Sequence, residues 1–272
     1  LAVTSRGTDS LDILFGQGDG QFILENTLVV GDGPSSILAG RFDNGAGPGL
    51  ASIDLVIGNF NSFDITVLFN DGVGNFSEAP DSPLALPGRP EALASGDFDS
   101  GSGTLDFVVI TQVPDEVNAF FGVGFDQFAG PFLLTDQIVP SDVAVGDLDQ
   151  NGSLDILMTH NDFSLQVFLG GNDQTFTPGE PITLGKDVGD AFLSPILADL
   201  NNDGVPDIAV AATQAGVQVL PGQGGGQFSA PIVFEAGFGL ALAVGDLNGD
   251  SLLDLVVPNG DEDRVTVLFS RP

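Results

Sequence analysis

The sequence contains no cysteine, no tryptophan and no tyrosine, and it has a single histidine. The missing thiols exclude disulfides, cysteine-ligated zinc and iron–sulfur clusters. Tryptophan and tyrosine commonly line sugar- and peptide-binding faces, and neither is present; the only aromatic residues among Phe, Trp and Tyr are 22 phenylalanines. No apolar run approaches the roughly 18 residues that a membrane-spanning helix needs.

Basic residues are also scarce, with six lysines and arginines against 38 acids and a formal charge of −32. A negative field of this size repels nucleic acid and anionic membrane surfaces and attracts cations. We therefore expect no nucleic-acid partner and no membrane span. Many acids recur at regular intervals inside apolar segments, a pattern that indicates bound metal as well as a solubilising surface.

Acidic segments of about nine residues recur along the chain. The regular copies read DLDQNGSLD (147–155), DLNNDGVPD (199–207) and DLNGDSLLD (246–254). A stretched copy, DFDSGSGTLD, covers 97–106, and a degenerate copy runs from Arg41 to Asp54. The final aspartates are Asp54, Asp106, Asp155, Asp207 and Asp254. Their near-constant spacing of about fifty residues indicates an internal repeat.

A glycine-rich link that ends in phenylalanine has the same period. Its copies are FGQGDGQF (15–22), FNDGVGNF (69–76), FGVGFDQF (121–128), LGGNDQTF (169–176) and LPGQGGGQF (220–228). Glycine supplies the positive φ that tight hairpins need, so each link is predicted to be a hairpin. The phenylalanine after each link is predicted to pack between neighbouring repeats.

Four short apolar runs accompany each copy, one before the acidic segment, two between it and the glycine-rich link, and one after the link. They are β-branched and bounded by Gly, Pro, Asn and Asp, which is typical of strands. Four strands per repeat predict an all-β fold, a β-propeller of four-stranded blades. About 5.5 blades are present, so we expect six blades, with seven as the alternative.

The predicted propeller is one domain that covers residues 1–272. It consists of a partial blade at 1–38, repeats at about 39–92, 93–142, 143–194 and 195–241, and a partial repeat at 242–272. The incomplete end blades offer open strand edges through which the chain could associate with other chains.

The regular acidic segments have the spacing of a cation-binding loop. Side-chain oxygens stand at places one, three, five and nine, the carbonyl at place seven can add another, and glycine at place six permits a sharp turn. Calcium binds six to eight oxygens of this mixed kind. The predicted ligands are Asp147, Asp149, Asn151, Ser153 (carbonyl) and Asp155; Asp199, Asn201, Asp203, Val205 (carbonyl) and Asp207; and Asp246, Asn248, Asp250, Leu252 (carbonyl) and Asp254. The third copy departs from this pattern, with Ser251 where glycine is expected.

Two further copies are less regular. Asp97, Asp99 and Asp106 define a fourth calcium site, to which Gly101 or Ser102 could contribute. A fifth site at Asp43 and Asp54 is doubtful, because Arg41 occupies place one. We expect Arg41 to replace the ion there by pairing with one of these aspartates.

Together the two signatures resemble the FG-GAP/VCBS repeat family, whose calcium-loop propeller repeats are also found in the heads of integrin α-subunits. The resemblance covers essentially the whole chain. It implies a β-propeller with Ca²⁺ in loops on one rim, an extracellular or cell-surface setting, and a non-catalytic role in adhesion or in binding a protein or glycan ligand. A partner is expected to use the rim opposite the calcium loops, or the central axis.

Two other functions remain open at this stage. The first is a polysaccharide lyase or hydrolase on a propeller scaffold, although His160, in MTHND (158–162), is expected to be an ordinary loop residue just beyond a strand. The second is a structural subunit of a larger assembly that docks through its incomplete end blades. Fold alone does not choose between these functions.

Overall fold

A computed structural model describes residues 1–43, 52–99, 103–124, 126–136, 139–171, 173–184, 195–212, 216–237, 241–260 and 263–271. This part of the chain contains β-strands and no helix. It therefore has no helix with the length and apolar character for crossing a membrane. The chain divides into two compact units, one of Leu1–Asp97 with Gly101–Ile138 and one of Phe98–Ser100 with Val139–Pro272.

The first unit contains three antiparallel sheets, whose orders are β1-β2-β3, β4-β5-β6-β7 and β9-β10-β11-β12, with β8 paired to β6. Its strands are β1 (Ala2–Ser5), β2 (Ser10–Gly16), β3 (Phe22–Val29), β4 (Pro34–Gly40), β5 (Asp54–Asn59), β6 (Asp64–Asn70), β7 (Phe76–Glu78), β8 (Leu84–Ala85), β9 (Arg89–Gly96), β10 (Asp106–Gln112), β11 (Glu116–Gly122) and β12 (Phe128–Thr135).

The second unit repeats the plan with sheets β13-β14-β15-β16, β18-β19-β20-β23 and β24-β25-β26, while β17 pairs with β15 and β21 with β22. Its strands are β13 (Pro140–Gly146), β14 (Asp155–His160), β15 (Ser164–Gly170), β16 (Phe176–Pro178), β17 (Ile182–Thr183), β18 (Pro195–Ala198), β19 (Asp207–Ala212), β20 (Gly216–Leu220), β21 (Gly222–Gly224), β22 (Gln227–Phe228), β23 (Ile232–Phe234), β24 (Ala243–Gly245), β25 (Asp254–Asn259) and β26 (Arg264–Leu268).

The sheet order follows the sequence order, as the repeat predicts. Each acidic segment joins the first strand of a sheet to the second, and each glycine-rich link joins the third strand to the fourth. The first sheet begins at the second-strand position, with Ala2 opposite Ile13 in an antiparallel pair. Within each unit the first strands lie side by side, β4 beside β9 in one and β13 beside β18 in the other. This arrangement is that of consecutive propeller blades.

The apolar core lies between consecutive sheets rather than within one. One buried cluster joins Val56 and Ile65 of the second sheet to Phe107 and Phe120 of the third. An equivalent cluster in the second unit joins strands β14 and β15 to β19 and β20. The second strands are the most deeply buried, and every residue of β5 and of β14 is buried. Face-to-face packing of sheets explains why these strands are continuously apolar rather than alternating.

The phenylalanine after a hairpin packs where the repeat predicts it, between two sheets. Phe128 contacts Phe42 with ring centroids 6.4 Å apart, and Phe176 contacts Phe98 at 5.5 Å. Phe228 packs against the cluster that contains Leu148. In each pair the partner stands at place two of the preceding acidic loop. The hairpin of one repeat is therefore anchored to the acidic loop of the repeat before it.

Phe22 is the exception to this packing. It follows the first glycine-rich link, yet 54% of its side-chain surface is exposed. The prediction that it packs between repeats is wrong for this residue, since it begins β3, a strand that is exposed along nearly its whole length.

Candidate metal centres

The loop 147–155 is organised by its own acidic side chains. Asp147 accepts hydrogen bonds from the Asn151 N–H on Oδ1 and from the Gly152 N–H on Oδ2, both at 3.0 Å. Asp149 Oδ1 accepts a second bond from the Asn151 N–H at 3.0 Å. The Ser153 N–H donates to Asn151 Oδ1 at 2.6 Å. Places one, three and five thus fold the loop around their own oxygens, as Asp and Asn side chains do in Asx turns.

The other two regular loops repeat this network. In the loop 199–207 the Gly204 N–H donates to Asp199 and the Asp203 N–H to Asn201, both at 2.9 Å. In the loop 246–254 the Ser251 N–H donates to Asp246 at 2.9 Å and the Asp250 N–H to Asn248 at 2.8 Å. The amides at place seven donate to the side chain at place five, Val205 to Asp203 and Leu252 to Asp250. Three copies of one geometry show that the nine-residue spacing defines a single loop structure.

The aspartate at place nine has a different environment, because it is buried. Asp155 is 0% exposed and Asp207 is 1% exposed. Asp155 Oδ2 accepts from the Leu148 N–H at 2.7 Å and the Asp149 N–H at 3.2 Å, and Oδ1 accepts from the Gly170 N–H at 2.7 Å. The carboxylate therefore joins the start of its loop to the end of the third strand.

The same bridge occurs in all five repeats. The N–H groups at the end of the third strand that donate to the final aspartate are Asn70 to Asp54, Gly122 to Asp106, Gly170 to Asp155, Gly222 to Asp207 and Ser270 to Asp254, at 2.7 to 3.0 Å. We call this contact the aspartate bridge. The repeat pattern indicates these aspartates only as ligands and gives no sign of the bridge, whose donor lies 15 or 16 residues further along the chain.

Burial raises the pKa of Asp155, while the N–H donors from Gly170 and Leu148 lower it and leave it above the ordinary value. The pKa of Asp207 is raised for the same reason. Asp246 differs, because the pKa of its exposed carboxyl is lowered by the N–H groups of Ser251 and Gly249. Without a cation, ionisation of Asp155 or of Asp207 therefore costs free energy in the folded state.

Each regular loop has two residues with positive φ, at places four and six. They are Gln150 and Gly152, Asn202 and Gly204, and Gly249 and Ser251. The sequence predicts a left-handed backbone conformation only at place six, where glycine stands in two of the three loops. Ser251 departs from glycine there, but its φ of 70° reproduces the left-handed turn. Its neighbour Gly249, with a φ of 82°, is the residue of this loop that adopts that conformation without strain.

Ser251→Gly is expected to raise the free energy of unfolding by about 0.5–1 kcal/mol, because glycine relieves the left-handed strain. Gly204→Ala is the matched opposite change. A Cβ at Gly204 meets nothing within 4 Å, so its expected loss of about 1 kcal/mol is a backbone effect. Thermal unfolding followed by circular dichroism measures both changes. A lower melting temperature for Ser251→Gly would contradict the assignment of strain.

Asp147, Asp149 and Asp155 each place a carboxylate oxygen within 4.8 Å of the other two. Two oxygens bound to one calcium ion at 2.3–2.6 Å can be at most about 5 Å apart, so this group fits a single Ca²⁺. The half-buried carboxylates of Asp147 and Asp149 and the side-chain oxygen of Asn151 supply the hard oxygen donors that calcium prefers. The residues present therefore fit the predicted ion.

The other two regular loops differ in the place of their asparagine. In the loops 199–207 and 246–254 place three is Asn201 or Asn248, so the equivalent trio contains an amide oxygen. Within the described residues, the three carboxylates of each of these loops are not gathered as closely as those of the loop 147–155. The carbonyls of Ser153, Val205 and Leu252 remain predicted ligands.

The two irregular loops differ from the regular ones. Asp97 and Asp106 belong to the first unit and Asp99 to the second, so the fourth site remains a prediction, and Gly101 and Ser102 lie outside the described residues. Asp54 accepts bonds from the N–H groups of Phe42 and Asp43. Backbone donors therefore hold the Asp54 carboxylate within the described residues, and the pairing of Arg41 with Asp43 remains a prediction.

His160 lies inside a strand, not in a loop beyond one as expected. It is the last residue of β14, is 3% exposed, and its Nδ1 lies 2.8 Å from Ser164 Oγ. Burial lowers its pKa below the ordinary value, although the nearby Asp162 charge opposes the change. The imidazole is therefore a neutral core group near pH 7.

Neighbouring acidic loops of the second unit are in direct contact. The Gln150 side-chain amide donates to the Gly204 carbonyl at 2.6 Å, which joins place four of one loop to place six of the next. A Cβ at Gly226, in the following hairpin, would lie 3.7 Å from the Asp149 side chain. An ion held in the loop 147–155 would therefore stabilise contacts between repeats as well as within one.

Comparison with known families agrees with the repeat. The model of the FG-GAP-like repeat matches residues 147–210 and 199–257. Residues 147–257 therefore carry FG-GAP-like repeats, which confirms the resemblance stated above for this region. No curated protein matches the chain in sequence.

Solved structures share the fold at low sequence identity. BBS1N, crystallised in complex with ARL6DN, is 10% identical with a TM-score of 0.65, over 99% of this chain and 74% of that one. The BP39L lectin from Burkholderia pseudomallei is 14% identical with a TM-score of 0.65, over 98% and 79%. A Bacteroides fragilis protein provisionally named a 6-phosphogluconolactonase is 13% identical with a TM-score of 0.65, over 97% and 73%. These similarities show the fold alone, a β-propeller, and the number of blades remains a prediction.

Proposed function

We propose, starting from the FG-GAP-like repeats of residues 147–257, that this protein is a non-catalytic module that binds a protein or glycan ligand and is stabilised by calcium. We place it outside the cell or on the cell surface, in an adhesion role. The calcium ions would lie in the loops 147–155, 199–207 and 246–254.

The close approach of Asp147, Asp149 and Asp155 carries this proposal. Their carboxylate oxygens lie within 4.8 Å of one another in a chain whose formal charge is −32. Such a group repels itself and is costly unless a cation neutralises it. Bound calcium would offset this cost and would also neutralise the buried Asp155, whose pKa is raised by burial.

The burial of His160 supports a non-catalytic role. Proton-abstracting lyases commonly use His, Tyr, Lys or Arg beside the substrate, and this chain has one histidine and no tyrosine. His160 is 3% exposed and hydrogen-bonded to Ser164, so a substrate could not contact it without opening the core. The provisional lactonase name belongs to a protein that is 13% identical and gives no argument for catalysis here.

The ligand class is supported more weakly, by analogy of fold. One neighbour was crystallised with a protein partner and another is a lectin. A propeller rim can present loops to either kind of ligand. Association through the end blades remains a separate prediction.

Calcium titration by isothermal calorimetry, with native mass spectrometry, tests the proposal. We expect at least three ions per chain, one in each regular loop, and a fourth if the predicted site at Asp97, Asp99 and Asp106 also binds. Each site should add about 2.7 kcal/mol to the free energy of unfolding at a hundredfold excess over Kd. Asp147→Ala, Asp199→Ala and Asp246→Ala should each remove one ion. Glu25→Ala, at an exposed position on β3, is the control and should remove none. Unchanged melting after chelation, with no bound ion, would refute the calcium role.

A further inference from the structure

A cationic cluster lies in the first unit, at the end of the sheets opposite the acidic loops. The guanidinium carbon of Arg6 lies 4.3 Å from the centroid of the Phe60 ring, and that of Arg89 lies 5.2 Å from the same centroid. Arg89 also lies 5.7 Å from the Phe63 centroid. We call these four residues the arginine cluster.

Three consecutive sheets build this cluster. Arg6 lies in the turn from β1 to β2, Phe60 and Phe63 lie in the turn from β5 to β6, and Arg89 begins β9. Asp54, the final aspartate of the first acidic segment, begins β5 at the other end of that strand, about 20 Å away at roughly 3.3 Å per residue. The cluster is thus on the rim where the sequence analysis expected a partner.

Two of the chain's six basic residues contact one phenyl ring, in a molecule with a formal charge of −32. Cation–π contacts hold both guanidinium groups in place. Within the described residues neither arginine has an ion pair or a side-chain hydrogen bond, and both are exposed, which leaves their N–H groups accessible to a ligand. Both arginines and Phe63 are exposed, and Phe63 has 40% of its surface accessible.

The acids around the cluster are bonded to neutral donors instead. Asp9 accepts from the Gly33 N–H at 2.9 Å, and Asp32 accepts from the Asn61 amide at 2.9 Å. Asp64 accepts from Asn59 at 2.7 Å and from Ser62 at 3.0 Å. Glu91 competes with a ligand for Arg6: burial raises the pKa of Glu91, and the Arg6 charge lowers it by a smaller amount.

These surroundings restrict the ligand. A guanidinium group binds a carboxylate through two parallel hydrogen bonds, so the cluster can hold one carboxylate. A polyanion would be repelled by the net charge, and a peptide with several acids would meet Asp9, Asp32 and Asp64. A sugar hydroxyl, in contrast, can donate to those carboxylates, and a sugar ring can pack on the exposed part of Phe63.

We propose that Arg6 and Arg89, held by Phe60, bind the carboxylate of an acidic sugar such as a uronic acid, with the sugar ring against Phe63. This assignment rests on the proposed binding function and names the ligand class and the surface that it uses.

The test uses the whole chain, labelled with ¹⁵N and titrated with glucuronate, with glucose as the neutral match. The protein lacks tryptophan and tyrosine, so NMR of the arginine Nε–H groups replaces fluorescence. Glucuronate at concentrations on the order of 10 mM should shift the Arg6 and Arg89 signals and leave the Arg41 signal unmoved. These shifts should be larger than any that glucose causes.

Variants make the assignment specific. Arg6→Gln and Arg89→Gln should each weaken binding about tenfold, and Arg41→Gln, an exposed arginine of the same unit, should have no effect. Glu91→Gln should tighten binding about twofold, because it removes the competing charge. A gain of affinity cannot result from misfolding, so this variant supports the proposal even if an arginine variant unfolds.

Several results would overturn the assignment. They are equal shifts with glucose, no shift with glucuronate, or tighter binding of N-acetylglutamate, which would indicate an acidic peptide instead. The calcium experiment separates the two proposals. If calcium binds and glucuronate does not, the sugar site alone is refuted; if glucuronate binds and calcium does not, the calcium-stabilised scaffold is refuted.

Discussion

Asp155→Ala is expected to lower the free energy of unfolding by about 3 kcal/mol even in the presence of chelator. Asp155 is 0% exposed and accepts from the N–H groups of Leu148, Asp149 and Gly170. Each buried N–H group that loses its acceptor costs about 1–3 kcal/mol. Part of this loss is offset because the substitution also removes a buried carboxylate, the pKa of which is raised by burial. Urea unfolding followed by far-UV circular dichroism gives the value.

Asp147→Ala is the matched variant, because it changes the same loop. Its carboxylate accepts from the N–H groups of Asn151 and Gly152, which lie at the exposed tip and can bond to water instead. We expect a loss below about 1 kcal/mol in chelator and a larger loss in calcium. Similar losses for both variants in chelator would show that the aspartate bridge does not stabilise the repeat.

The aspartate bridge is a part of the site that the sequence did not predict. The spacing of aspartates identified Asp155 as special, and its oxygen does approach those of Asp147 and Asp149. Its second partner, Gly170, lies 15 residues further on, across two strands. Sequence spacing describes contacts within a loop, whereas this contact depends on which strands pair.

Strand positions were predictable because they depend on local chemistry. Each acidic segment or glycine-rich link fixed one end of each run, and β19 starts at the predicted Asp207. Place four was missed because Gln150, Asn202 and Gly249 share no obvious residue type, although all three have positive φ. The loop network imposes that conformation, and only asparagine and glycine favour it intrinsically.

The arginine cluster could not be predicted from the sequence at all. Arg6, Phe60 and Arg89 come from three different sheets and belong to none of the recurring signatures. A periodic pattern reveals what every repeat has in common. A binding site on one rim depends on residues that occur in one repeat and not in the others. Such residues are recognised as a group only when the structure shows that the sheets bring them together.

Phe228→Ala is expected to lower the free energy of unfolding by about 2–3 kcal/mol, somewhat less than for a fully buried phenylalanine. Phe228 is half-buried against the cluster of Leu148, Leu157 and Ile208, which joins two successive sheets of the second unit. Truncation removes the ring that anchors one hairpin to the preceding acidic loop. It leaves a cavity beside Leu148, which stands next to the predicted ligand Asp147.

Phe22→Ala is the control at the equivalent position of another repeat, where the ring is 54% exposed. Its expected effect is within about 0.5 kcal/mol, because little apolar contact is lost. Both variants are compared by urea unfolding in chelator, where ion binding cannot contribute. Because Phe228 contacts the loop from outside, Phe228→Ala should also weaken calcium binding at Asp147 to Asp155, which calorimetry measures. Equal losses of stability for the two variants would contradict anchoring between repeats, since only Phe228 packs against the neighbouring sheet.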